Sequence, residues 1–217
     1  SHYLFQLRKK LNDIKVSSPL YVMQSGGGQM SDSTAINLPA YFVESGPAAG
    51  VVAAAAIAKR AGLEQIITLD IGGTTAKTAI VEGGEPSRTS EYEVGAGVNL
   101  SSKLVKGAGY SIKLPFIDVS EIGAGGGSVV WFDEGGLMKV GPESAGSFPG
   151  PVCYDLGGDK VTLTDANLLL GYLNPTGLLD GSMKINHEKA FSHVKQLVGN
   201  HLNLSAMDAA MGIFTVA

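Results

Sequence analysis

Asp70-Ile71-Gly72-Gly73-Thr74-Thr75 lies between two apolar runs, Gln65-Ile66-Ile67-Thr68-Leu69 and Lys77-Thr78-Ala79-Ile80-Val81. The first run reads as a buried strand and the second as its hairpin partner. A turn of this composition suits a phosphate chain. Two glycines remove the side chains that block close approach, so backbone N–H groups can converge on phosphate oxygens, and Thr74 and Thr75 add hydroxyl donors. Asp70, at the strand end, is placed to hold Mg²⁺ through its water shell. The competing reading of this segment taken alone is a two-glycine β-turn with no ligand.

A second glycine cluster, Gly123-Ala124-Gly125-Gly126-Gly127-Ser128, follows the strand-like run Phe116-Ile117-Asp118-Val119 and precedes Val129-Val130-Trp131-Phe132. Neither cluster has the Gly-x-x-x-x-Gly-Lys-Ser/Thr or the full Gly-x-Gly-x-x-Gly spacing, which disfavours P-loop and dinucleotide sites. The order of the two turns resembles the actin, Hsp70 and sugar-kinase superfamily, with its α/β, ribonuclease H-like nucleotide-binding fold. There an Asp-x-Gly-Gly-Thr hairpin holds phosphates and a later glycine turn lies against the adenosine. On that resemblance Gly72, Gly73, Thr74 and Thr75 are phosphate contacts, and Gly125, Gly126 and Gly127 are adenosine-side contacts lining the same cleft.

Further segments narrow the resemblance. Val22-Met23-Gln24-Ser25-Gly26-Gly27-Gly28, Ser45-Gly46-Pro47-Ala48-Ala49-Gly50, Val140-Gly141-Pro142-Glu143-Ser144-Ala145-Gly146, Pro149-Gly150-Pro151-Val152-Cys153-Tyr154 and Thr164-Asp165-Ala166-Asn167 flank the two turns in a fixed order. Together, from about Pro19 onward, they resemble the hydantoinase A and 5-oxoprolinase family, which includes N-methylhydantoinase A and acetone carboxylase β-type subunits. The resemblance implies ATP and Mg²⁺ as cofactors, a cyclic amide of the hydantoin or 5-oxoproline class as substrate, and a hydantoinase B-type partner. It also implies a chemistry. Amide resonance makes direct attack by water slow, and phosphorylating the amide oxygen creates an activated imidate, provided the γ-phosphate is oriented and its charge neutralised. The family's subunits are longer and open with their own Asp-x-Gly-Gly-Thr hairpin, so residues 1–217 are expected to form a single compact unit, a partial fold holding the second phosphate hairpin.

Several residues admit two readings. The family often has Ser/Thr-Thr-Asp after the Gly-Gly-Thr turn where this chain has Thr75-Ala76-Lys77; Lys77 either contacts phosphate or points to solvent from its strand. Asp165 is a candidate cleft carboxylate, or it or Thr164 caps a helix beginning at the apolar run Leu168-Leu169-Leu170. Glu143 is a similar candidate without a visible partner. Cys153 has no neighbouring base in the sequence and reads as a buried structural thiol. With one cysteine no internal disulfide forms, which suits a reducing cytoplasm. The four histidines show no i, i+3 or i, i+4 pair, so they read as isolated helix-surface residues.

The elements that must position these residues read as mixed α/β. Helical spacing spans residues 2–14, 48–61, 165–172, 186–199 and 205–217, and strands are expected at 20–23, 89–94, 128–132 and 137–140. Ser45 or Gly46 is the expected cap of the alanine-rich helix. Residues 95–109 read as a glycine-punctuated connection and residues 141–158 as a long loop that packs over the cleft or contacts another part of the intact subunit. Hydrophobic residues make up 44% and charged residues 17% with net charge −4, which implies a packed core and no general affinity for nucleic acid or anionic membrane. No run reads as a membrane span or signal peptide. Besides the amidohydrolase, two function classes fit: a sugar-kinase-like phosphotransferase, and a nucleotide-binding or assembly module without turnover. Sugar kinases lack the Gly-Pro-Glu-Ser-Ala-Gly and Pro-Gly-Pro-Val-Cys-Tyr segments, which favours the amidohydrolase.

Overall fold

Leu4, Leu7 and Leu11 recur at helical spacing, and a helix forms there, α1 (His2–Asp13). The computed structural model describes residues 2–94 and 110–217, and the connection expected over residues 95–109 lies outside them. The chain divides into two compact units, Ser1–Asp70 with Lys77–Ile122 and Ile71–Ala76 with Gly123–Ala217. The division runs through a hairpin and a strand end, so no linker composition marks it.

In the first unit α1 is followed by the hairpin of β1 (Tyr21–Met23) and β2 (Gln29–Ser31), closed by the turn at Ser25-Gly26-Gly27-Gly28, and by the short helix α2 (Asp32–Asn37). Leu4, Met30 and Ala35 form a small core there, and Arg8 Nε donates to Asp32 Oδ2 at 2.6 Å. The alanine-rich helix α3 (Ser45–Arg60) starts earlier than its periodicity suggests. Its cap is Glu44, in the left-handed conformation with φ 58° and no side-chain cap bond, and not Ser45 or Gly46.

A four-stranded sheet holds β3 (Ile66–Ile71), β4 (Ala76–Glu82), the short β5 (Glu85–Pro86) and, beyond four short strands, β10 (Val119–Ile122). The short strands form two antiparallel pairs: β6 (Arg88–Thr89) with β9 (Phe116–Ile117), and β7 (Tyr92–Val94) with β8 (Tyr110–Ile112). The single strand expected over residues 89–94 is therefore split. β10 (Val119–Ile122) pairs with β4, giving the order β10-β4-β3. Ala48, Val51 and Ala55 on α3, at helical spacing, pack on Ala79 and Val81 of β4 and on Ile117. Small residues on the helix allow close approach to the strands.

The opposite face of this sheet is bare. Ile67, Leu69 and Ile71 share one side of β3 by the two-residue alternation of a strand, and Ile67 and Leu69 are 77% and 70% exposed. The expectation that residues 65–69 form a buried strand is corrected here: β3 is an edge strand covered on one face only.

In the second unit, β11 (Ser128–Phe132) and β12 (Met138–Ser144) pair as a hairpin, on the strands expected over residues 128–132 and 137–140. Asp133 Oδ1 accepts from the N–H groups of Gly135 and Leu137 and closes its turn. β12 extends into the segment read as loop. Three helical segments pack beside it: α4 (Leu163–Leu169), α5 (His187–His193) continuing through a π-helical turn, Val194–Gly199, into α6 (Asn200–Leu202), and α7 (Ala206–Val216). The core joins Cys153, Leu168, Val194, Val198, Ala210 and Ile213. Among the described residues no helix is long and apolar enough to cross a membrane.

Candidate functional site

The turn between β3 and β4 is closed by Gly72 N donating to Thr75 O at 2.9 Å. Gly73 is exposed, and a Cβ added to it would meet nothing within 4 Å. Neither Gly73 N nor Thr74 N donates to another described residue. An exposed, unengaged N–H on a turn without a covering side chain is the geometry an anion needs. The side chain of Asp70, exposed near the end of β3, makes no hydrogen bond or ion pair among the described residues, so its carboxylate oxygens are available to a hydrated cation.

The two glycine clusters meet directly within the second unit. Gly126 N donates to Gly72 O at 3.0 Å and Gly127 N to Gly73 O at 2.6 Å. A Cβ on Gly125 would lie 2.7 Å from Thr74 C and 2.8 Å from Gly72 O and Thr74 N. A Cβ on Gly127 would lie 2.6 Å from Ser144 Oγ and 2.8 Å from Gly73 O. Backbone packs on backbone here, and only glycine permits that distance.

Every N–H and C=O of residues 125–127 is engaged inside the unit. Gly125 N donates to Ser128 Oγ at 2.9 Å, and Gly125 O accepts from Ser128 N. Gly126 O accepts from both Thr164 N and Thr164 Oγ1 at 2.7 Å, and Gly127 O accepts from Ala145 N at 2.8 Å. The triglycine is thus a brace that holds the Gly72-Gly73 turn in place. Any contact it makes with a ligand is through its Cα faces and not through its N–H donors.

The brace rests on the start of α4. Thr162 caps this helix and not Thr164 or Asp165: its hydroxyl accepts from Asp165 N, while Thr162 N and Oγ1 donate to Asp165 Oδ2 at 2.8 Å. This reciprocal pair is a capping box, visible in the sequence as Thr162-x-x-Asp165 and missed there. Asp165 also accepts from Cys153 N at 2.7 Å and Val152 N at 3.3 Å. Its side chain is fully buried, so the cleft role considered for it is corrected to an internal tie between α4 and the residues 149–154 segment. Asn167, two residues further on, has a buried Oδ1 with no partner among the described residues.

Cys153 is fully buried against this carboxylate. Burial, then the Asp165 charge, push its thiol well above the usual range. The thiolate is the reactive form, so Cys153 should resist Ellman's reagent at neutral pH in the native state and react at the rate of unfolding. Fast labelling of folded protein would contradict the burial.

Lys77 lies on β4 in the first unit, where Nζ is 3.3 Å from Glu121 Oε1 and 3.8 Å from Glu44 Oε2. Neither reading of it from the sequence anticipated these partners. Glu143 is exposed and ion-paired with Lys160. Of the histidines, His201 lies with its ring 4.0 Å from that of Phe132. Among the described residues no three His, Cys, Asp or Glu side chains group closely enough to hold a metal.

An α/β unit bearing a braced glycine hairpin points to the nucleotide-binding proteins of the actin and Hsp70 type, and the chain has that fold. The nucleotide-free structure of acetone carboxylase matches it with TM-score 0.81 and 29% identity, over 97% of this chain and 28% of that one. The ATP-dependent caprolactamase of Pseudomonas jessenii matches with TM-score 0.68 and 32% identity, over 99% and 29%. The chain belongs to the hydantoinase/oxoprolinase family, whose model matches residues 1–217. A Methanocaldococcus jannaschii protein of undescribed activity is 44% identical over 220 residues, covering 100% of this chain and 32% of its own length. The alpha subunit of the Pseudomonas jessenii caprolactamase is 33% identical over 214 residues, 29% of its length. The chain thus spans about a third of the length of these curated relatives.

Proposed function

We propose that this chain carries the second phosphate hairpin of an ATP-dependent enzyme that opens a cyclic amide by phosphoryl activation. The observation behind the reading is the open Gly73 N–H on a turn held by Gly126 and Gly127. Phosphoryl transfer is catalysed mainly by positioning and charge neutralisation, and a turn fixed by backbone hydrogen bonds reorganises little when an anion arrives. Gly72, Gly73, Thr74 and Thr75 take the phosphate side. Asp70, exposed and unpaired, fits a hydrated Mg²⁺, which would offset the phosphate charge.

The printed names of relatives support the substrate class. They include a caprolactamase alpha subunit and a 5-oxoprolinase of Pestalotiopsis fici, the latter 42% identical over 132 residues. Both names describe action on a cyclic amide. The likeness to acetone carboxylase supports a second reading, activation of a ketone. The two readings share one step, transfer of a phosphoryl group to a carbonyl-type oxygen, and differ in what then attacks. A hydantoinase B-type partner completes the assembly in this proposal, as the subunit naming of the caprolactamase relative suggests.

Calorimetric titration of the chain with Mg²⁺ and ATP, paired with hydrolysis assays on hydantoin, 5-oxoproline and caprolactam, tests the reading. Weak ATP binding without amide turnover is expected, because the hairpin with which the family's subunits open is absent from these residues. Losing even one charge-stabilising donor slows catalysis by about 100- to 1000-fold. Absence of any nucleotide binding would sink the phosphate-turn assignment. Robust amide hydrolysis by these residues alone would show the catalytic apparatus to be misplaced.

A further inference from the structure

Gly72 O and Gly73 O both face the triglycine, since they accept from Gly126 N and Gly127 N. Each of these carbonyls shares its peptide unit with the N–H of the next residue: Gly72 O with Gly73 N, and Gly73 O with Thr74 N. Both units are trans, and in a trans peptide the N–H and the C=O point in opposite directions. Gly73 N–H and Thr74 N–H are therefore both turned away from the triglycine, and neither donates to another described residue. Two successive N–H groups on one side of a turn form a nest that takes one anion. A hydrogen bond accepted at a carbonyl also polarises its peptide and strengthens the N–H at the other end. The bonds from Gly126 and Gly127 thus aim both donors and strengthen them.

Gly126 has no side chain to restrict its rotation, and what restricts it is Thr164. Thr164 N and Oγ1 both donate to Gly126 O at 2.7 Å, and a Cβ on Gly126 would lie 2.8 Å from that Oγ1. The N–H alone would satisfy the carbonyl; the hydroxyl adds a second, converging bond. Turn, triglycine and α4 all belong to the second unit. We propose that Thr164 is a positioning residue of the phosphate turn: through Gly126 its hydroxyl sets the tilt of the Gly72–Gly73 peptide, and so the aim of Gly73 N–H at the anion. Only 8% exposed and bonded to Gly126, Thr164 acts through that residue and not on the ligand. The inference rests on the phosphate reading of the turn.

Nuclear magnetic resonance of the whole isotope-labelled chain, titrated with Mg²⁺ and ATP and paired with thermal unfolding, tests it on the wild type and three variants. Thr164→Val keeps the volume and the backbone N–H but loses the hydroxyl. It is expected to shift the Gly73 amide resonance before ATP is added and to weaken ATP binding by roughly 3- to 10-fold, the worth of one hydrogen bond. Thr164→Ser restores the hydroxyl and should return both to wild-type values. Ser205→Ala removes the side-chain cap of α7 instead, and should lower Tm while leaving the Gly73 resonance and the affinity unchanged. A role confined to stability gives another pattern: Thr164→Val with a lower Tm, wild-type affinity and an unmoved Gly73 amide. That pattern would overturn the proposal, as would an equal loss of affinity in Ser205→Ala, because affinity would then follow stability. A wild type that binds no ATP removes the phosphate reading and this inference with it, whereas wild-type binding that Thr164→Val leaves intact removes this inference alone.

Discussion

Gly125→Ala is expected to destabilise the chain by about 1–3 kcal/mol and to abolish ATP binding, whereas Gly73→Ala should fold normally. The difference lies in what each new methyl meets. At Gly125 it falls 2.7–2.8 Å from backbone atoms of Gly72 and Thr74, which cannot step aside without moving the turn. At Gly73 it enters open space, on a backbone that needs no left-handed conformation. Such a replacement narrows the unfolded ensemble and is neutral or stabilising by about 0.4–1 kcal/mol. The same methyl would stand where phosphate approaches, so Gly73→Ala should lose nucleotide affinity at full stability. Urea unfolding and calorimetry on the two variants separate these outcomes. Equal stability for Gly125→Ala and wild type would mean that the two turns are not in contact, and full ATP affinity in Gly73→Ala would move the phosphate elsewhere.

Asp165→Ala should be the most damaging single change in the second unit, at about 3–5 kcal/mol. Four donors converge on this carboxylate, from Val152, Cys153 and twice from Thr162, and all lie in a buried setting. Removing their acceptor leaves each desolvated without compensation. Asp165→Asn keeps the volume and one acceptor oxygen but turns an N–H₂ group toward other donors, and should cost about half as much. The effect should propagate. Thr164 begins the turn of α4 that holds Gly126, so loosening the cap should accelerate hydrogen exchange at the Gly126 and Gly127 amides. A loss under 1 kcal/mol in Asp165→Ala, or unchanged exchange at those amides, would show that α4 does not support the glycine turn.

The hairpins and most helices are legible from local chemistry. Gly72-Gly73 between apolar runs and Asp133-Glu134-Gly135-Gly136 between Phe132 and Leu137 mark turns that form as read, because turn geometry depends on the few residues within it. Leu4, Leu7 and Leu11 mark α1, and the alanine-rich run marks α3 for the same local reason. The order of the glycine turns indicated the nucleotide-binding fold and the segments flanking them the family, which the structural matches and the family model show.

Partners distant in sequence are another matter. Gly72 and Gly126 are 54 residues apart and Lys77 and Glu121 are 44 apart, and no periodicity spans such separations. The resemblance marked residues 125–127 as ligand contacts, yet the N–H groups of Gly126 and Gly127 bond the neighbouring turn and that of Gly125 bonds Ser128 Oγ. Asp165 shows the same limit: a carboxylate in a motif reads as chemistry until four backbone and hydroxyl donors are found around it. β3 was read as buried from its apolar residues, but exposure depends on which elements cover each face of a sheet, and here only α3 covers one. The sequence by itself determined where the chain turns and which residues we propose to meet a phosphate. Tertiary structure decided which of those groups remain available, because a buried hydrogen-bonding group is engaged by whatever donor or acceptor the fold brings beside it.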